Sequence, residues 1–386
     1  AVFALTSCDD DDDDDNGGTN ETALITKSGE ITQDETWTSD NMYRLDGRVL
    51  VGGGATLTIE PGTIIKAAPG TGAFASALVI QRDGMIMAEG TADEPIIFTT
   101  IADEIEPGQI VSPNMEPTNR GLWGGVIILG SAQISAQNEN DQDVSELQIE
   151  GIPTSVDALY GGSDDADNSG VFSYVSIRHG GANIGEGNEI NGLSMGGVGT
   201  GTRIDHIEIV ANADDGLEWF GGSVDVNNVL VWNAGDDALD TDQDWIGACD
   251  DFIVVAPTGS GFELDGPEGN LNRGTHQFTN GTVFAGDEIS DLVDWDDNTN
   301  AGVANVYFYG LPNGYSDGIS SFGGDMTGDN SNWEVTLSNT PLDTVFQGGS
   351  SAIVTEVPEN GNTVGHSGMY NWTWASQSGA LGSLGL

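Results

Sequence analysis

The chain predicts an all-β coil of stacked rungs, and three observations carry that reading. Apolar runs of three to five residues recur between Gly, Asn and Asp, as in Leu57-Thr58-Ile59, Leu78-Val79-Ile80, Val126-Ile127-Ile128-Leu129 and Tyr174-Val175-Ser176-Ile177. Strands this short with turn signals this frequent belong to sandwiches, barrels or solenoids. No window sustains a 3.6-residue apolar period, so few helices are expected. An internal repeat then selects the solenoid. Ile207 to Glu218 aligns with Val229 to Asp240 at an offset of 22 throughout; 23 residues further on come Phe252-Ile253-Val254-Val255 and Gly261-Phe262-Glu263. A gapped step of 31 reaches Leu292-Val293-Asp294-Trp295. A period of this length with two or three strands per turn is one rung of a right-handed parallel β-helix, whose strands stack ~4.8 Å apart.

From the N-terminus, Ala1 to Ser7 is apolar and small, and Leu5-Thr6-Ser7-Cys8 reads as a lipobox at the end of a signal-peptide core. The segment resembles that of bacterial lipoproteins, in which such a cysteine carries the lipid. Cys8 is therefore the expected lipidation site. The run Asp9 to Asp15, followed by Asn16-Gly17-Gly18, is self-repelling and predicts a solvated tether over residues 9–22. An acidic run directly after the lipidated cysteine resembles the export signal of some Gram-negative surface lipoproteins. These features imply a lipid-anchored protein at the cell surface or outer membrane. Residues 23–386 are expected to form one β-helix, with an N-terminal cap over 23–50, coils over 51–330 and a C-terminal cap over 331–386. Inside the coils, Leu217, Leu239, Phe262 and Val293 should form one inward column and Ile209, Val231 and Val254 another. Ile177 and Leu193 join these columns after a glycine-rich insertion.

Net charge narrows the partners. Nine basic and 62 acidic side chains among 386 residues give −53, and only seven of the acids lie in the Asp9 to Asp15 run. Nucleic acid and other polyanions are excluded as partners by repulsion. The 57 glycines occur without a strand-loop-helix context, so a phosphate-binding loop is not expected. Cys249, beside Asp250 and Asp251, reads as a buried apolar filler rather than a nucleophile.

The stretch Gly52 to Phe98, containing Gly54-Ala55-Thr56-Leu57-Thr58-Ile59-Glu60-Pro61-Gly62-Thr63, resembles the opening coils of pectate-lyase-like right-handed β-helix proteins. Gly121-Leu122-Trp123-Gly124-Gly125, Arg178-His179-Gly180-Gly181, Asn188 to Leu193 and Asn371 to Ser376 are similar to stretches of uncharacterised surface lipoproteins of that fold. The resemblance covers nearly the whole mature chain and implies fold and address, but no chemistry.

Chemical content concentrates beside the Leu217 column. Glu218, Asp240, Glu263 and Asp294 fall at equivalent outward positions, and Asp242, Asp265 and Asp296 form a second column two residues on. Like charges ~5 Å apart repel by about 1 kcal/mol per pair even in water. A hard cation such as Ca²⁺, raised carboxylate pKa values or splaying into solvent would relieve this. Asp240-Thr241-Asp242-Gln243-Asp244 starts like a calcium loop, yet Trp245 and Asp251 stand where an EF-hand needs Gly and Glu. Asp165 and Asp167, in Asp165-Ala166-Asp167-Asn168-Ser169-Gly170, are further candidate ligands. The competing reading is that these acids only shape turns.

Trp219, Trp232, Trp245 and Trp295 lie near the acids, and indole faces beside carboxylates suit sugar binding, against the alternative that they pack beneath loops. Catalysis on this fold needs a base or a carboxylate pair. Gly235-Asp236-Asp237 and His179-Gly180 are present, but in the reverse order from the related galacturonan hydrolases, and Arg-Ile-Lys is absent. Candidate bases are Arg178, His179, Arg203, His206, Arg273 and His276; no catalytic set emerges from them. The expected function is a surface binding or adhesion module for glycan or an extracellular partner. The alternatives are a polysaccharide lyase or glycoside hydrolase, and a structural envelope component.

Overall fold

The computed structural model describes residues 22–150, 152–153, 156–183, 190–320 and 328–386. Cys8, the Asp9 to Asp15 tether and Asn188-Glu189 lie outside the described residues. Within them, the strands of the coil join into one large parallel sheet wound as a right-handed β-helix. Each rung has three faces. The first is the start of a long strand, as in Arg203–Val210, Val226–Trp232 and Ala248–Val255; the second is the end of the same strand. The third is a short strand, as in Leu217–Phe220, Leu239–Asp242 and Phe262–Leu264.

One left-handed residue bends each long strand between its first two faces. Tyr174, His206, Asn228, Asp251, Asn280 and Asn305 all have φ between 51° and 60°. Asn and Asp tolerate this conformation because their short side chains bond locally. Here the bonds run between rungs: Asn305 Nδ2 donates to Asn280 Oδ1 at 3.3 Å and Asn332 Nδ2 to Asn305 Oδ1 at 2.8 Å.

The interior columns fall as the repeat predicts. Leu193 pairs with Leu217, Leu217 with Leu239 and Leu239 with Phe262, while Ile177, Ile209, Val231 and Val254 stack on the second face. Val293 enters the first column because Glu263 pairs with Asp294. All of these are buried, and Cys249 is a free thiol in the same interior.

The expected caps need correction at both ends. Residues 23–50 are not a separate cap: Ala23–Ile31 pairs in parallel with Asn41–Val51, and Glu35–Trp37 with Thr56–Ile59, so the coil already starts there. At the far end, Trp333–Val335 and Val354–Glu356 add two more stacked strands. The segment between them, with helix Leu342–Val345, packs Val345 and Phe346 onto the end of the core, as a cap would; the last part of the chain instead runs back along the second face. Ser367 and Tyr370 bond Asp251, Trp372 packs on Tyr174, and Ala375 N donates to Glu208 Oε1 at 3.0 Å. The chain then returns through Trp374–Gln377 and Ala380–Leu384 until Tyr309 Oη donates to Leu384 O at 3.1 Å. The physical reason is apolar area. Outward-facing Val210, Leu230, Trp232, Ile253 and Val255 form a flank that Tyr370, Trp374 and Leu381 bury.

Candidate functional site

Strand register builds an acidic ladder on the third face. Ser194 pairs with Glu218, Glu218 with Asp240, Asp240 with Glu263, and Glu263 with Asp294. Because side chains alternate along a strand, the inward Leu217 and Leu239 fix Glu218 and Asp240 outward. The preceding turns add Asp214-Asp215 and Asp236-Asp237, and Asp237 N donates to Asp215 Oδ1 at 2.9 Å. Asp242, Asp265 and Asp296 follow at the strand ends; Asp296 is exposed, while Asp242 and Asp265 are half-buried.

The ladder faces outward yet does not splay into solvent, which corrects one of the expected means of relief. Asp215, Glu218 and Asp240 are each 7% exposed. The long excursion after Leu129 covers the lower third face. Its Ile134, Ile149, Ile152 and Tyr160 pack on Leu50, Val79, Ile127 and Phe220, and Tyr160 Oη donates to Gln243 Oε1 at 2.8 Å. Its edge, including Glu150, acts on Glu218.

Oxygens of Asp215, Glu218 and Asp240 lie within 4.8 Å of one another, and so do those of Asp214, Asp215 and Asp236. Burial first, then the neighbouring carboxylates, pushes Asp215, Glu218 and Asp240 well above the ordinary carboxylate range. The same causes raise Glu263 to about 9, Asp242 to about 8 and Asp265 to about 6. The set must therefore share protons or hold a cation. Its donors are all oxygen, which suits a hard ion such as Ca²⁺ over zinc or copper. The residues also fit such an ion on a second count. Asn191 is 1% exposed, its Nδ2 donates to Glu218 Oε2, and its Oδ1 has no hydrogen-bond partner. An amide oxygen beside carboxylates is an ordinary calcium ligand.

Other expected site residues fall elsewhere. Asp165 accepts from Gln133 N at 3.1 Å, Gln133 Nε2 at 2.7 Å and Arg273 Nη1 at 2.9 Å. Asp167 accepts from Ser131 Oγ at 2.8 Å and Ser169 Oγ at 3.3 Å. Both carboxylates fasten loops and leave the metal set. The four indoles are likewise corrected as sugar platforms. Trp219, Trp245 and Trp295 are at most 1% exposed in the interior, where Trp219 and Trp245 stack with centroids 4.6 Å apart. Trp232 is covered by Trp374, edge to face at 5.8 Å. Apolar area won over display in each case.

The candidate bases are all engaged away from the ladder. Arg178 is fully buried with Glu208 and lies 5.0 Å from the Trp374 ring; His179 Nδ1 is 2.7 Å from Asn119 O. Arg203 bridges Glu89 and Asp205, and His206 bonds Asp205. Arg273 holds Asp165 and Asp244, and His276 sits in the core against Thr241. Asp215, Asp237 and Asn191 are not among the expected metal ligands, and Asp237 enters the sequence reading only within the Gly235-Asp236-Asp237 element weighed for catalysis. The first two carry a readable signal, since Asp214-Asp215 and Asp236-Asp237 stand at the same 22-residue offset as the strands. Asn191 carries the same kind of signal, since Asn191-Gly192-Leu193 aligns with Asp215-Gly216-Leu217 and Leu193 pairs with Leu217.

No curated protein and no solved structure matches the chain. The family model described as a pectate-lyase-like beta helix domain matches residues 29–293, which contain every rung of the ladder up to Val293. With its wound parallel sheet and most of its length inside that match, the chain belongs to the pectate-lyase-like β-helix family.

Proposed function

We propose that the chain is a Ca²⁺-binding β-helix module held at the cell surface by a lipid on Cys8, and that it binds a glycan or protein partner rather than processing polysaccharide. The observation that carries this reading is the buried ladder of Asp215, Glu218, Asp240 and Glu263, whose strongest influences after burial are other carboxylates. A bound cation converts that repulsion into a clamp across successive rungs, with Asp242, Asp265, Asp294 and Asp296 extending the set outward. The engagement of Arg178, His179, Arg203, His206, Arg273 and His276 with other partners argues against proton abstraction at the ladder. Since the indoles are buried, a glycan would have to contact outer polar groups or bridge through the ion.

Ion binding to the native state stabilises by RT ln(1 + [L]/Kd), about 2.7 kcal/mol at a hundredfold excess over Kd. Magnesium should do less, because it demands compact octahedral geometry and sheds water reluctantly. Thermal melting in EDTA, then with millimolar-scale Ca²⁺ or Mg²⁺ at matched ionic strength, is expected to show a larger rise with calcium. Asp240→Asn combined with Glu218→Gln should abolish it. Equal shifts for both ions, or an undiminished calcium response in the variant, would reduce the effect to screening of the −53 charge. Glycan-array binding with reducing-end analysis separates binding from cleavage.

A further inference from the structure

A second site lies where the folded-back C-terminal segment leaves the second face. A cleft of about 890 Å³ opens between the outward side chains of Phe284, Tyr307 and Tyr309, the turn from Glu356 to Glu359, and Ser383-Leu384 of the returning helix. This volume is within the range of small-molecule sites. Tyr307 and Tyr309 stack with centroids 5.0 Å apart at 3°, and Phe284 meets Tyr309 edge-on at 5.3 Å. Their orientation is fixed: Tyr307 Oη is 2.8 Å from Thr336 Oγ1, and Tyr309 Oη donates to Leu384 O. The platform is thus built from three directions by the coil, the last turn and the returning helix.

The lining charge has one sign. Glu356 and Glu359 are exposed at the rim, and no Lys or Arg lines the cleft among the described residues. Glu359 also borders the adjoining smaller cavity, together with His366, and both cavities share Tyr307 and Tyr309. Burial lowers the pKa of that imidazole, so it brings no positive charge at neutral pH. Aromatic faces attract cations through the ring quadrupole, and two carboxylates at the rim add Coulomb attraction. An anionic sugar would meet the same carboxylates and the field of the whole chain.

From this charge complementarity we propose that the Phe284–Tyr307–Tyr309 cleft binds a small organic cation, an alkylammonium group lying against the tyrosine platform with Glu356 and Glu359 as counter-charges. The site is separate from the acidic ladder and does not depend on it. The probes are choline and its uncharged isostere 3,3-dimethylbutan-1-ol, titrated onto the folded protein by calorimetry and ligand-observed NMR at roughly physiological salt, where diffuse counterion attraction is screened. Choline is expected to saturate one site and to bind at least about tenfold more tightly than the isostere, a difference of about 1.4 kcal/mol. Tyr309→Ala, and Glu356→Gln with Glu359→Gln, should each weaken choline about tenfold or more. Tyr309→Phe, which keeps the ring, should retain it, and Asp240→Asn should leave it unchanged. Absence of saturable choline binding would overturn the proposal. Equal affinity for the isostere would make the cleft an apolar or neutral-ligand site and would also overturn it, as would binding that survives the glutamate and tyrosine changes while every variant melts like the parent.

Discussion

Asp240 meets Glu218 on one neighbouring rung and Glu263 on the other, so its ionisation is opposed from both sides. This has a definite sign in pH. A group whose folded pKa is raised contributes stability that is fully present below its unfolded value and lost as pH rises through the folded one. Asp265 reaches that point at about 6, Asp242 at about 8 and Glu263 at about 9. In EDTA the melting temperature should therefore fall steadily as pH rises through that window. Calcium competes with the same protons, so its stabilisation should grow over the same window. Melting curves with and without the ion, collected across it, check both slopes; a calcium-free protein that gains stability with pH would contradict the buried ladder. Asp240→Asn with Glu218→Gln removes two of the opposed charges. In EDTA at high pH that variant should melt above the parent, because amides of the same shape carry no repulsion.

At the scale of the element, the strand is specified by its bend as much as by its apolar alternation. The corner column that includes Asn280, Asn305 and Asn332 has φ of 60°, 56° and 58°. A left-handed residue with an ordinary side chain costs about 1–2 kcal/mol. Asn305→Ala should cost that amount, together with its bonds to Asn280 and Asn332; Asn305→Gly should cost less. Chemical denaturation of the two variants side by side distinguishes backbone strain from side-chain bonding. The strands themselves were legible because offsets of 22 and then 23 residues align apolar positions from Ile207 to Phe262. Alternation along Leu217-Glu218-Trp219 already puts the indole on the inner side with Leu217, so the burial of Trp219 could have been read too. Trp245 could not: it follows Gln243 and Asp244, both left-handed, and only the bent turn aims its ring inward. The ladder's register was legible for the same reason as the columns. Its burial was not, since that depends on an excursion of the chain, ending near Tyr160, that shares no period with the rungs.

On the whole molecule, the folded-back segment alters how a solenoid holds together. Rungs that touch only their neighbours give stability that is a sum of local terms, and such stacks can open a few rungs at a time. Here one segment joins rungs far apart in sequence. His366 N bonds Thr282 Oγ1 across 84 residues, Ser367 N bonds Asp251 across 116, and Ala375 N bonds Glu208 across 167. No sequence period predicts contacts of that range, which is why the segment read as an end cap. Trp374 is its main anchor, covering Trp232 and the Arg178 guanidinium, so Trp374→Ala should cost about 3–5 kcal/mol. Its wider effect should be on cooperativity. Removing residues 367–386 would expose the Val210, Leu230, Ile253 flank and leave Glu208 and Asp251 without their bonds to the segment. Hydrogen exchange should then rise first in Arg203–Val210, Val226–Trp232 and Ala248–Val255, with the rungs before Phe98 little changed. Unfolding should broaden into more than one transition, with a lower denaturant slope for the first. A truncated chain that still melts in one sharp transition, with uniform loss of protection, would show that the stacked rungs are cooperative without the segment.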